Sequence, residues 1–197
     1  MTEIELDAFR LERFVEAQTG VYEQVVEELR AGRKRSHWMW FIFPQIAGLG
    51  WSETAERFAI SGRAEAAVYL RHEVLGPRLR QCTELVNGLS GRTAEEGRIR
   101  EILGYPDDLK FRSSMTLFAA VAPGERVFQE ALEKYFADGP DDATPGRVWT
   151  GSARSAIAAA TRLPASIRVA CVGLFLSRYM RWSASRSSLA ASFASSG

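Results

Sequence analysis

Two short stretches of the chain hold residue types that could do chemistry. The first runs Arg33-Lys34-Arg35-Ser36-His37-Trp38-Met39-Trp40-Phe41-Ile42-Phe43-Pro44-Gln45. Three adjacent cations attract an anion, and arginine offers planar, bidentate donors that match phosphate or carboxylate. Ser36 can cap a following helix, whose free N–H groups would face the same anion. Trp38 or Trp40 can stack on a flat ring. Histidine is the residue type suited to acid–base exchange near neutral pH, which makes His37 a candidate acid or base. Gln45, in the turn after Pro44, can hold a ligand edge or brace the turn. The competing reading is structural. The cations are then a solvated helix end that suits the dipole, and the aromatic run is core.

The second stretch is Tyr105-Pro106-Asp107-Asp108-Leu109-Lys110-Phe111-Arg112-Ser113-Ser114-Met115. Adjacent carboxylates at a helix start favour the dipole. Lys110, Arg112, Ser113 and Ser114 follow at once on a helix that must be deeply packed, and buried polar groups need partners. They can find them in each other, with Asp108 and Arg112 four apart on one face, or around a ligand. Neighbouring aspartates point different ways on a helix, so this is not a two-carboxylate hydrolase signature. No Gly-rich phosphate loop, GxSxG, HExxH or zinc spacing occurs, and nothing calls for a metal or a cofactor. His72 stands alone in a helix-to-turn region and reads as a surface residue.

Helices must position these stretches. The spacing predicts helices over 7–17, with Asp7 as N-cap, and over 21–31. The second buries Val21, Tyr22, Val25, Val26 and Leu29, turns Glu23, Glu27, Glu28 and Arg30 outward, and ends on Gly32. Further helices are expected over 53–60, capped by Ser52, and 63–71, capped by Ser61. Another starts on Pro77 and ends near 88, and one opens with the Thr93–Glu96 capping box. The run 109–121 is apolar on more than one side and should be the most buried helix. A last amphipathic helix spans 125–136. No convincing alternating strands occur. The fold class is therefore all-α, one globular domain of seven to eight short helices over residues 1–144.

The 197 residues carry a net charge of +1, which argues against disorder. That total hides an asymmetry. From Pro145 to Gly197 there are seven arginines and no lysine or acid, while residues 1–144 hold 18 basic and 24 acidic side chains. Two readings of this tail compete. One is a poorly packed basic extension that touches nucleic acid or acidic lipid. The other, which fits its Ala/Ser/Arg bias better, is translation in a shifted reading frame. Cys82 and Cys171 form neither a disulfide framework nor a metal site and read as buried thiols. No apolar run reaches the ~20 residues of a membrane span, and nothing resembles a signal peptide, so a cytoplasmic protein is expected.

The two chemistry-bearing stretches, residues 33–45 and 104–118, resemble the signatures of the bacterial domain-of-unknown-function family 1810. Phe14-Val15-Glu16-Ala17-Gln18, Tyr69-Leu70 and Val74-Leu75-Gly76-Pro77-Arg78-Leu79 are similar to that family too. The resemblance covers about residues 7–144. It implies a mainly helical, single-domain cytoplasmic protein of unestablished activity, some of whose relatives carry the label calpastatin, and it supplies no catalytic residue. Gly97-Arg98-Ile99-Arg100 looks like an insertion, and the basic tail stands where a short Leu-rich helix should end the family's chain.

From the residues themselves, the expected function is binding of an anionic, nucleotide-like small molecule where the two stretches meet. Arg33, Lys34, Arg35, Lys110 and Arg112 would neutralise it, Trp38 or Trp40 would stack, and Gln45 and Ser113 would hold its edges. His37 with Asp107 or Asp108 would supply acid–base chemistry if a reaction follows. The alternative is a non-enzymatic interaction or regulatory module. No membrane partner is expected, and nucleic acid only through the tail.

Overall fold

The computed structural model describes residues 9–89, 98–136 and 138–144. The chain divides into two units, Met1–Ser155 and Ala156–Gly197, and every described residue belongs to the first. The basic tail, Asp7, the Thr93–Glu96 pair and Cys171 lie outside the described residues. Nine helices and no strand occur among them: α1 Glu12–Gln18, α2 Tyr22–Arg30, α3 Met39–Ile42, α4 Glu53–Arg57, α5 Arg63–Arg71, α6 Leu75–Gly88, α7 Arg98–Leu103, α8 Asp107–Val121 and α9 Arg126–Tyr135. The helix beyond the expected count is α3, a single turn inside the aromatic run. An isolated parallel bridge joins Ile46 to Ile60.

The local signals act as their chemistry demands at several boundaries. Gly32 sits at φ +65°, a conformation that only glycine takes without cost. Its N–H donates to Leu29 O at 2.9 Å, and Arg33 N–H donates to Glu28 O at 3.0 Å, so α2 ends in a paired C-terminal motif. Ser52 Oγ accepts from Ala55 N–H at 3.2 Å and caps α4. Pro77 is the third residue of α6 rather than the first. That position tolerates proline equally, because the first four N–H groups of a helix have no intrahelical acceptor.

Helix α6 touches α2, α3, α5 and α9, while α8 touches α5, α7 and α9. These two helices form the frame. Helix α8 is buried on nearly all sides, with Phe111, Met115, Leu117 and Phe118 fully enclosed, as its unperiodic apolar content predicts. Edge-on and tilted ring pairs tie it to its neighbours: Phe43–Phe111 at 4.9 Å, Tyr69–Phe118 at 5.6 Å and Phe118–Phe128 at 5.7 Å. The other end of α6 is closed from α9. Lys134 Nζ donates to Asn87 O at 2.6 Å and Leu89 O at 2.9 Å, and Tyr135 OH donates to Val86 O at 2.6 Å. Cys82 is a buried thiol, pushed up to about 12 by burial.

Two expectations are corrected here. Glu28 is not on the outer face of α2 but 7% exposed. His72 is not a surface residue either. It is 8% exposed, and its Nδ1 accepts from Val74 N–H at 3.1 Å and Leu75 N–H at 3.4 Å, where α6 begins. The imidazole is there because the entry to α6 offers no hydroxyl or carboxamide. The free donors of the first turn take a ring nitrogen instead. Burial lowers the His72 pKa below its ordinary 6.5, and Glu73 and Glu12 oppose this only in part. A histidine with a depressed folded pKa stabilises the fold fully above about pH 6.5. It loses that contribution as pH falls through the lowered value. Urea melts at pH 7 and pH 5 should therefore show wild type losing stability at the lower pH, and His72→Asn, a non-titrating acceptor, losing much less.

Candidate functional site

The segment between α2 and α3 is built around one carboxylate. Glu28, in the last turn of α2, accepts from Arg35 N–H at 2.8 Å, Ser36 N–H at 3.1 Å, Ser36 Oγ at 2.7 Å and the Trp38 indole Nε1 at 2.8 Å. Gln24 Nε2 adds a fifth donor at 3.1 Å. Burial alone would raise its pKa, but the bonds from Ser36, Arg35 and Trp38 together outweigh it and hold Glu28 down at about 2. Ser36 thus spends its hydroxyl on Glu28 and not on capping α3, which has no side-chain cap.

This anchoring sorts the following residues by direction. Lys34, Ser36 and Trp38 turn inward, and Arg33, Arg35 and His37 are exposed. Lys34 is held twice. Its N–H donates to Ile102 O at 2.7 Å, and its Nζ pairs with Asp107 at 2.8 Å. Asp107 also receives Lys110 Nζ at 2.7 Å. Burial would raise the Asp107 pKa, but the two lysines lower it below the ordinary carboxylate value. Lys110 Nζ lies 4.3 Å from the centre of the half-buried Trp40 ring. The stretches at 33–45 and 105–114 are therefore neighbours, joined by the Lys34–Asp107 ion pair, the Lys110–Trp40 contact and the Phe43–Phe111 ring contact.

The remaining candidates have other partners. Asp108 is 5% exposed and pairs with Arg100 Nε at 2.9 Å, not with Arg112 as the four-residue spacing suggests. Arg112 reaches along the chain instead, donating from Nε to Gly139 O at 2.9 Å and from Nη2 to Pro140 O at 3.3 Å. Ser113 Oγ donates to Asp141 at 3.1 Å, and Asp141 also receives the N–H and hydroxyl of Thr144. Together these side chains strap residues 139–144 onto α8. The Gln45 carbonyl accepts from Ile60 N–H at 2.8 Å, so its backbone braces the turn. Trp38 is 2% exposed, and its ring belongs to the core.

What faces outward is a cationic edge: Arg33, Arg35 and His37, none with a hydrogen bond or ion pair from its side chain among the described residues. Arg33 and Arg35 are two apart in the chain and both exposed. Tyr105, 70% exposed, lies in the turn between Ile102 and Asp107, the two residues that Lys34 binds. The Arg100 guanidinium sits 5.1 Å from its ring.

Three of these residues were given no role in the candidate site from the sequence: Glu28, Arg100 and Tyr105. Glu28 alone left a signal. An acid in the last turn of a helix opposes the negative dipole end, a cost that needs donors to offset it. Replacing it should be severe. Glu28→Gln removes the charge and turns an amide N–H2 toward donors, so urea unfolding should show a loss of about 3 kcal/mol. In wild type the Glu28 contribution is complete above the ordinary glutamate value of 4.5 and falls away as pH drops toward about 2. The variant's acid-unfolding curve should be correspondingly flatter.

A family model described as a protein of unknown function, DUF1810, matches residues 8–148. The crystal structure of the conserved hypothetical protein Rv1873 from Mycobacterium tuberculosis is similar, with 55% sequence identity and a TM-score of 0.66. The match covers 70% of this chain and 95% of that one. No curated protein matches the chain.

Proposed function

The chain belongs to the DUF1810 family of proteins of unknown function, and we propose that its described domain binds an anionic, nucleotide-like small molecule on the cationic edge between α2 and α3. One observation carries this reading. Glu28 and Asp107 consume the inward donors of the segment, which leaves Arg33, Arg35 and His37 directed to solvent on a backbone that is already fixed. An anion arriving there meets donors whose ordering cost is met during folding. Tyr105 replaces Trp38 as the stacking surface, because the tyrosine ring is open and the tryptophan ring is not. The reading is of binding rather than turnover. Asp107 and Asp108 hold lysine and arginine partners, and an acid or base needs to be free to exchange its proton.

A second reading, an interaction module, is favoured by exposed Tyr105 together with half-exposed Leu109 four residues on. Thermal-shift and calorimetric titrations of the full chain with ADP, ADP-ribose, NAD and inorganic phosphate separate the two. The small-molecule reading expects a nucleotide at about 100 Kd to stabilise the chain by about 2.7 kcal/mol, a rise of several degrees in Tm. Arg33→Ala/Arg35→Ala should abolish the rise. Tyr105→Ala should remove the preference for ADP over phosphate. No rise with any of the four would overturn this reading in favour of the interaction module.

A further inference from the structure

In the loop between α3 and α4, Trp51 is 91% exposed. A solitary exposed leucine is ordinary, but a tryptophan leaves the largest apolar side chain in water. The loop that carries it is not slack. Its base is pinned by Ala47 N–H to Ile60 O and Ile60 N–H to Gln45 O, both 2.8 Å, with Ile46 and Ile60 buried. Gly48 turns at φ +87°. Gly50 lies so close to α4 that an added Cβ would meet Ala55 Cβ at 2.5 Å. Ser52 is fixed as the cap of α4. Trp51 therefore stands between two tied residues, and little backbone entropy remains to be lost when something covers it.

Helix α4 behind it has no buried residue. Glu53 and Glu56, three apart on one side, are exposed and make no ion pair among the described residues. The one cation of α4, Arg57, has its guanidinium 5.2 Å from the Phe58 ring. An open indole face beside two unpaired carboxylates is complementary to a guanidinium or ammonium group, which gains from both the ring and the charges.

We propose that Trp51, Glu53 and Glu56 form a docking surface for a basic, arginine-rich segment of a protein partner, with one cationic side chain lying on the indole.

The test uses the full chain and a fluorescein-labelled ten-residue Arg/Ser repeat peptide, followed by anisotropy. Binding should weaken about tenfold in Trp51→Ala. It should weaken several-fold, with a shallower salt dependence, in Glu53→Gln/Glu56→Gln. Arg33→Ala/Arg35→Ala should leave it unchanged, which keeps this result separate from the anion-binding face. Because Trp51 touches little, Trp51→Ala should melt with wild type. Three outcomes would overturn the proposal. The peptide binds Trp51→Ala as tightly as wild type, it binds neither protein at low salt, or sedimentation velocity shows a Trp51-dependent dimer, so that a second copy occupies the surface.

Discussion

The arrangement between α2 and α3 depends on the Glu28 carboxylate. A buried charge is tolerated only when donors surround it, and Glu28 finds four within the next ten residues. Those bonds fix the backbone at Arg35 and Ser36 and draw the Trp38 indole inward. The tryptophan then packs at 6.2 Å from Phe43, which meets Phe111 of α8. One ion thus links the end of a surface helix to the most buried helix of the fold. The same residue closes the helix end through its main chain, since Glu28 O accepts from Arg33 N–H.

Most of the fold was legible because it rests on local rules. Helix spacing, Gly32 as terminator, Ser52 as cap and the unperiodic apolar run of α8 each identify their element without reference to distant chain. What was not legible depends on how a loop folds back on the helix beside it. His72 and Glu28 look like exposed polar residues in helical spacing, and only the donors that the following residues turn toward them, Val74 and Leu75 N–H for His72 and Arg35, Ser36 and Trp38 for Glu28, explain their burial. The candidate site divides the same way. The small-molecule reading requires residues 33–45 and 105–114 to be neighbours, which no local pattern dictates. Which side chains meet which does not follow, because Asp108, Arg112 and Ser113 each choose between several acceptors or donors within reach.

The polar residues of α8 illustrate how a packed helix disposes of its donors. Arg112, Ser113 and Thr116 all face residues 139–144, and Asp141 N–H returns a bond to Thr116 Oγ1 at 2.9 Å. A helix enclosed by apolar neighbours has nowhere else to satisfy these groups. The strap therefore completes the core rather than decorating it. Ser114 is the exception. It is fully buried, with its hydroxyl unpartnered among the described residues.

The alternation at 33–38 separates two kinds of selection. The side chains at 34, 36 and 38 anchor the segment, while 33 and 35 contribute through backbone N–H groups and the side chains of 33, 35 and 37 make no hydrogen bond or ion pair among the described residues. Side-chain changes at the outward positions then cost the fold little, on a scaffold that the inward positions keep constant. Such a segment behaves as an adjustable terminal block. Its contacts can be rewired one residue at a time, across a set of related chains or in a designed library, with little risk of losing the fold.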